Sequence, residues 1–149
     1  MKWVDIPPVW LAGCIVLSLW QARALPEGLR LAHPMTDLLA GLLIGAGLIL
    51  MLLAVSEMRR QKTTVIPHLE ASHLVQSGIF SRTRNPIYLG DALVLTGLVL
   101  RFDAVLSLVL VPAFVWIIER RFIVPEENRL RRAFRADYAR YERKVRRWV

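Results

Sequence analysis

Three stretches of this sequence carry polar residues whose types and spacing could do chemistry. Arg84-Asn85-Pro86 stands directly before an apolar run. Proline suits the first turn of a helix, where its missing N–H would be unpaired anyway, and asparagine suits the cap position. A helix start presents free N–H donors and a partial positive charge, so an anionic group such as the carboxylate of a methionine moiety can dock there. The same residues would equally serve only to begin a helix. Pro125-Glu126-Glu127 follows the last apolar run. Acidic residues near a helix start are ordinary dipole partners, but at a membrane boundary a carboxylate could also hold a cation, either an amino group or a sulfonium. Asp91 lies three residues after Tyr88, on nearly the same helix face. An ionisable side chain inside an apolar run is expensive and is a functional candidate by default; a contact to Arg84 or to the backbone is the alternative. With Glu57 and His73, Asp91 is one of the groups able to take up a proton from a substrate.

These residues need elements to hold them. The chain has 149 residues, enough for a single domain, and is 55% hydrophobic with a net charge of +8. Its mean hydropathy is +0.42. A soluble basic protein would not be this apolar, so charge and apolar surface must be separated along the chain. Residues 119–149 carry eleven Lys/Arg against five Asp/Glu, three quarters of the net charge. A basic segment after apolar spans faces anionic headgroups on the cytoplasmic side. No nucleic-acid motif accompanies it, and nucleic acid is not an expected partner. Cys14 is the only cysteine, which precludes an intrachain disulfide, and no metal-ligand spacing occurs.

Four apolar segments stand out: residues 6–25, 38–55, 87–100 and 104–118. A bilayer core of ~30 Å needs about 20 helical residues, and unpaired backbone amides force helix there. The first segment resembles a signal peptide, but Asp5 and Pro7-Pro8 argue for a retained span. The third and fourth, separated by Arg101-Phe102-Asp103, are expected to form a tight helical hairpin, the fourth kinked at Pro112 and continuing to Ile123. Gly41 and Gly45 in the second allow close helix approach, preferably within the bundle. Lys/Arg placement puts both termini in the cytoplasm. The expected fold is all-α: a bundle of about four transmembrane helices with a C-terminal amphipathic helix along the membrane surface or folded back over the bundle. That helix carries Leu130, Phe134, Tyr138, Tyr141 and Val145 at helical spacing. The 57–86 connection is long and rich in turn signals, among them Thr63-Thr64, Pro67 and Ser77-Gly78.

Residues 72–80 (Ser-His-Leu-Val-Gln-Ser-Gly-Ile-Phe), then Arg84-Asn85-Pro86-Ile87-Tyr88-Leu89-Gly90, then Glu126-Glu127 and Phe134, Tyr138 and Tyr141 occur in that order. This set, spanning about residues 57–148, resembles the isoprenylcysteine carboxyl methyltransferase family and its relatives, the phospholipid methyltransferases. The resemblance implies an integral membrane enzyme that binds S-adenosylmethionine on the cytoplasmic side and methylates a lipid-like or prenylcysteine-like acceptor. It places cofactor contacts on Ser72, His73, Leu74, Val75, Phe80, Asn85, Pro86, Tyr88, Glu126 and Glu127. Arg84 and Arg121 would position the acceptor, with Asp91 beside them. The sequence departs from the family pattern at Phe80, commonly tyrosine, at Asn85, histidine in the eukaryotic members, and at Arg135, usually glycine. A nicotinamide-dependent sterol-type reductase and a non-enzymatic lipid-binding subunit are the rival readings, and the oligomeric state stays open.

Overall fold

A computed structural model of the chain describes residues 5–24, 31, 33–62 and 73–149. Every regular element among them is helical. Five α-helices follow in order: α1 (Pro7–Ala24), α2 (Pro34–Arg60), α3 (Pro86–Arg101), α4 (Leu110–Ile118) and α5 (Val124–Lys144). Short 3-10 turns cover Gly78–Ser81 and Val105–Val109, and a π turn covers Glu119–Ile123. Thr63-Thr64, Pro67 and Ser72 lie outside the described residues.

The apolar runs become helices whose starts are marked by proline, as expected for a residue with no N–H to leave unpaired. Pro34 opens α2, where His33 Nδ1 accepts from the Met35 amide at 3.1 Å. Pro86 opens α3. Among the described residues, α2 is the one helix long and apolar enough by itself to cross a membrane. The 101–103 hairpin forms as expected: α3 ends at Arg101, Asp103 adopts a positive φ of 56°, and the chain returns through the 3-10 turn into α4.

α2 packs along α3 through small residues spaced by seven. Ala40, Gly47 and Ala54 are buried on α2, with Gly47 against Gly90 and Ala40 against Gly97 on α3. The backbones approach so closely that a Cβ on Gly47 would lie 2.6 Å from the Gly90 carbonyl oxygen, and one on Gly97 2.8 Å from the Ala40 carbonyl oxygen. Such close backbone contact is what small residues at a helix seam allow. This corrects the expectation for Gly41 and Gly45, which face open space. α1 packs against α3 and α4, and Cys14, Tyr88, Leu95, Val99, Phe114 and Ile118 form the core between them.

Pro112 produces no mid-helix kink. It lies in the first turn of α4, and the 3-10 turn before it absorbs the lost hydrogen bond. The helix then runs on past Ile118 through the π turn, where the Val124 amide donates to the Glu119 carbonyl. That wider turn stands ahead of Pro125, whose ring would crowd the carbonyl of residue 121 in a regular helix.

The C-terminal amphipathic helix is not one continuous rod. α5 breaks at Arg135, which has φ 36° and ψ −107°. Eleven residues along a straight helix would separate Arg131 from Glu142 by about 16 Å, yet their ion pair is 2.9 Å long. The second half therefore doubles back. Leu130 and Phe134 pack against Tyr138, Tyr141 and Val145, so the apolar stripe buries itself in its own hairpin.

The seam between α2 and α3 predicts unequal effects of alanine. Gly47→Ala should lower the unfolding midpoint in detergent by an amount equivalent to about 1–3 kcal/mol, from overpacking, whereas Gly45→Ala should hold or raise it, having open space and a better helix former. Arg135→Gly should stabilise the chain by about 1 kcal/mol, since relief of a strained φ exceeds the entropy cost of glycine. Denaturation midpoints of the three variants check both expectations.

Candidate active site

The site is built where the start of α3 meets the start of α5. Arg84 Nη2 lies 3.2 Å from Glu127 Oε1. One turn into α3, the Tyr88 hydroxyl donates to Oε2 of the neighbouring Glu126 at 3.4 Å. The two polar stretches that flank the hairpin in sequence therefore converge, because α3 and α4 run back antiparallel and the π turn carries the chain directly into α5.

The adjacent carboxylates Glu126 and Glu127 face different surroundings. Glu127 is 3% exposed, and three guanidinium groups surround it. Arg147 donates to it through Nε (3.0 Å) and Nη2 (2.8 Å), with Arg84 at 3.2 Å and Arg131 at 3.5 Å. The network continues to Glu142, which pairs with Arg84 and Arg131, and to Glu119, which takes Arg147 Nη1 at 2.6 Å. Three arginines thus balance three glutamates. Arg131 first, then Arg84, holds the Glu142 carboxyl below the ordinary carboxylate range. Glu126 has the Tyr88 hydroxyl, and burial pushes its carboxyl upward, partly opposed by the positive charge of Arg129.

Asn85 occupies the cap position of α3 but makes no cap hydrogen bond. Its side-chain amide instead donates to the Arg147 carbonyl at 3.0 Å, and the Thr83 hydroxyl donates to the same oxygen at 3.2 Å. The α3 start is left with backbone donors that its own cap side chain does not satisfy. Arg84 Nε is likewise buried without a partner among the described residues.

The preceding loop is pinned from two sides. Glu57, at the end of α2, accepts from Ser77 and Gln61. Gly78 takes a φ of 58°, and a Cβ there would meet the Glu57 carboxylate at 2.9 Å. On the other side the Tyr141 hydroxyl donates to the Phe80 carbonyl at 2.7 Å. Burial keeps Tyr138 and Tyr141 neutral, the former pushed up to about 12. Leu74 packs against this tyrosine cluster, Val75 is buried, and His73 is exposed.

Asp91 sits one turn beyond Tyr88 and is 8% exposed. Arg121, expected near the acceptor, lies instead against α1: it pairs with Asp5 at 2.8 Å and stacks over Trp10 at 5.4 Å. Pro86 is buried at the helix start. The structure thus gathers Arg84, Asn85, Pro86, Tyr88, Asp91, Glu126 and Glu127, and leaves Arg121 and His73 outside that group. Sequence reasoning missed Glu119, Glu142, Arg147 and the Trp148 indole, which donates to Glu119 at 3.2 Å. Their signal was faint, since charges in a basic tail read as a solvated face.

A family model described as phospholipid methyltransferase matches residues 35–137, more than half of the chain. No curated protein and no solved structure gives a match.

The unequal surroundings of the two glutamates predict opposite effects on stability. Glu127→Gln removes the buried charge that three arginines share, Arg84 most deeply among them, and should cost about 3 kcal/mol. Glu126→Gln should raise the unfolding midpoint at pH 7. A carboxyl whose folded-state pKa is raised destabilises the fold only once pH exceeds its ordinary unfolded value, so this gain should vanish near pH 4. Midpoints of both variants measured from pH 4 to 8 test the pair.

Proposed function

Because the chain belongs to the phospholipid methyltransferase family, we propose that this membrane methyltransferase uses S-adenosylmethionine to methylate a lipid at the cytoplasmic interface. The observation that carries the reading is the convergence of Glu126 and Tyr88 with Arg84 at the start of α3. The family match lends no support to a nicotinamide-dependent reductase or to a non-enzymatic lipid-binding subunit. We read α1, α2, α3 and the α4 segment as the four spans, with both termini cytoplasmic by their Lys/Arg bias.

The residues present fit the cofactor. An amino-acid moiety carries one cation and one anion. Glu126 is a half-buried carboxylate able to hold an ammonium or sulfonium, whereas the orphaned Arg84 Nε and the uncapped α3 start can serve a carboxylate. Leu74, Val75 and Phe80, fixed by the tyrosine cluster and by Glu57, would wall the site, with Ser72 and His73 just ahead of them. When bound, S-adenosylmethionine supplies a methyl group already activated by its sulfonium.

The protein's task is alignment, charge balance and exclusion of water. Tyr88 orients Glu126 through its hydroxyl, and the ion pairs on Glu127 hold the start of α5 against the start of α3. The guanidinium groups of Arg84, Arg131 and Arg147 are engaged by Glu119, Glu127 and Glu142. That leaves the site poor in free cations for a carboxylate acceptor and favours an amine headgroup. An amine must lose a proton on methylation, and Asp91, buried one turn from Tyr88, would accept it. The lipid would enter sideways from the bilayer, and the cofactor from the cytoplasm.

Transfer of isotopic methyl to extracted lipid should occur with phosphatidylethanolamine in mixed micelles and exceed that to a farnesylcysteine analogue. Glu126→Gln should abolish calorimetric binding of S-adenosylhomocysteine, and Asp91→Asn should lower kcat by about 10²-fold or more while binding is kept. Normal cofactor affinity in the Glu126 variant would remove that residue from the site.

A further inference from the structure

The segment Val145–Trp148 is threaded between the two helix starts that form the site. The Arg84 amide donates to the Arg146 carbonyl at 3.0 Å, and the Thr83 and Asn85 side chains donate to the Arg147 carbonyl. The Arg147 side chain reaches the other way. Its Nε and Nη2 form a fork on Glu127 and its Nη1 reaches Glu119. One residue thus joins the approach to α3 through its backbone and the start of α5 through its guanidinium.

Glu119 and Glu127 lie on either side of Glu126, across the π turn. A π turn is a wide and weak stretch of helix. Tying its first residue and Glu127 to one planar cation fixes how the intervening backbone is rotated, and therefore where Glu126 points. At the same time the Arg147 carbonyl draws the Asn85 amide away from the α3 start, which leaves that helix terminus open to an anion. Both effects act on the two ends of a zwitterionic ligand.

We propose that Arg147 is a positioning residue for the methyl donor and that the 145–148 strap is part of the donor site, although none of its atoms need touch the reacting methyl. The inference rests on the methyltransferase reading given above. The fork geometry is the requirement: a lysine supplies the charge but as a single point, unable to span two carboxylates with fixed angles.

The test uses the full chain in lipid nanodiscs, with S-adenosylhomocysteine as calorimetric probe and S-adenosylmethionine as kinetic substrate. Arg147→Lys should keep the unfolding midpoint near that of the wild type. It should weaken S-adenosylhomocysteine binding about tenfold and raise KM for S-adenosylmethionine in proportion, with kcat at saturating donor and KM for the lipid changed by less than about twofold. Arg143→Lys, on an exposed side chain that bonds only its own helix, should change none of these. Wild-type donor affinity in Arg147→Lys, or a loss no larger than its unfolded fraction, would overturn the assignment of Arg147. A wild-type chain that binds no S-adenosylhomocysteine would instead overturn the methyltransferase reading, and this inference with it.

Discussion

A glutamate carboxylate that is 3% exposed has given up its hydration, and only nearby cations offset that cost. Glu127 obtains them from three separate parts of the chain: Arg84 before α3, Arg131 one turn along its own helix, and Arg147 in the strap beyond α5. Desolvating this group is costly enough that the three partners must assemble together. Apolar contacts of Leu74, Leu130 and Phe134 with Tyr138, Tyr141 and Val145 join the loop ahead of α3 to the doubled-back half of α5, and the ion pairs tie both, with the strap, to the helix starts. The ion-pair hub is what turns them into one surface at the membrane boundary.

The hub would have nothing to act against without a rigid frame. That frame is the α2–α3 seam, where backbone meets backbone across Gly47, Gly90 and Gly97. Close approach fixes the axial position of α3, and so the positions of Arg84 and Tyr88 relative to α2. Asp5 and Trp10 at the start of α1 hold Arg121, which fixes the π turn from its other side. Apolar packing within the bundle and charge pairing at its end thus meet along a few residues, 84–91 and 119–127.

Much of this was legible in the sequence. Period and length marked the apolar helices, the Arg101-Phe102-Asp103 tip marked the hairpin, and the order of polar motifs marked which stretches should converge. The rest depends on partners that local pattern does not encode. Gly41 and Gly45 form the more familiar small-residue spacing, yet the face that packs is Ala40, Gly47 and Ala54, because α3 offers its glycines at matching intervals of seven. The break in α5 falls on Arg135, a residue with no turn preference; only the family's glycine at that position hinted at it. Glu119 and Arg147 are 28 residues apart and sit among eleven basic side chains, so nothing nearby in sequence distinguishes them from a solvated charge run.

The π turn at Glu119–Ile123 has a further consequence. An extra residue in one turn slips the angular phase of a helix by about 100°. α4 and the first half of α5 are joined without a loop, so without the slip a single stripe would have to satisfy both hydrocarbon and headgroup environments. The widened turn uncouples the two stripes, so residues before it and residues after it answer to different packing partners. A deletion of one residue here would remove that slip and swing Glu126 away from Tyr88. Length, more than composition, is therefore the conserved quantity this segment should show across relatives.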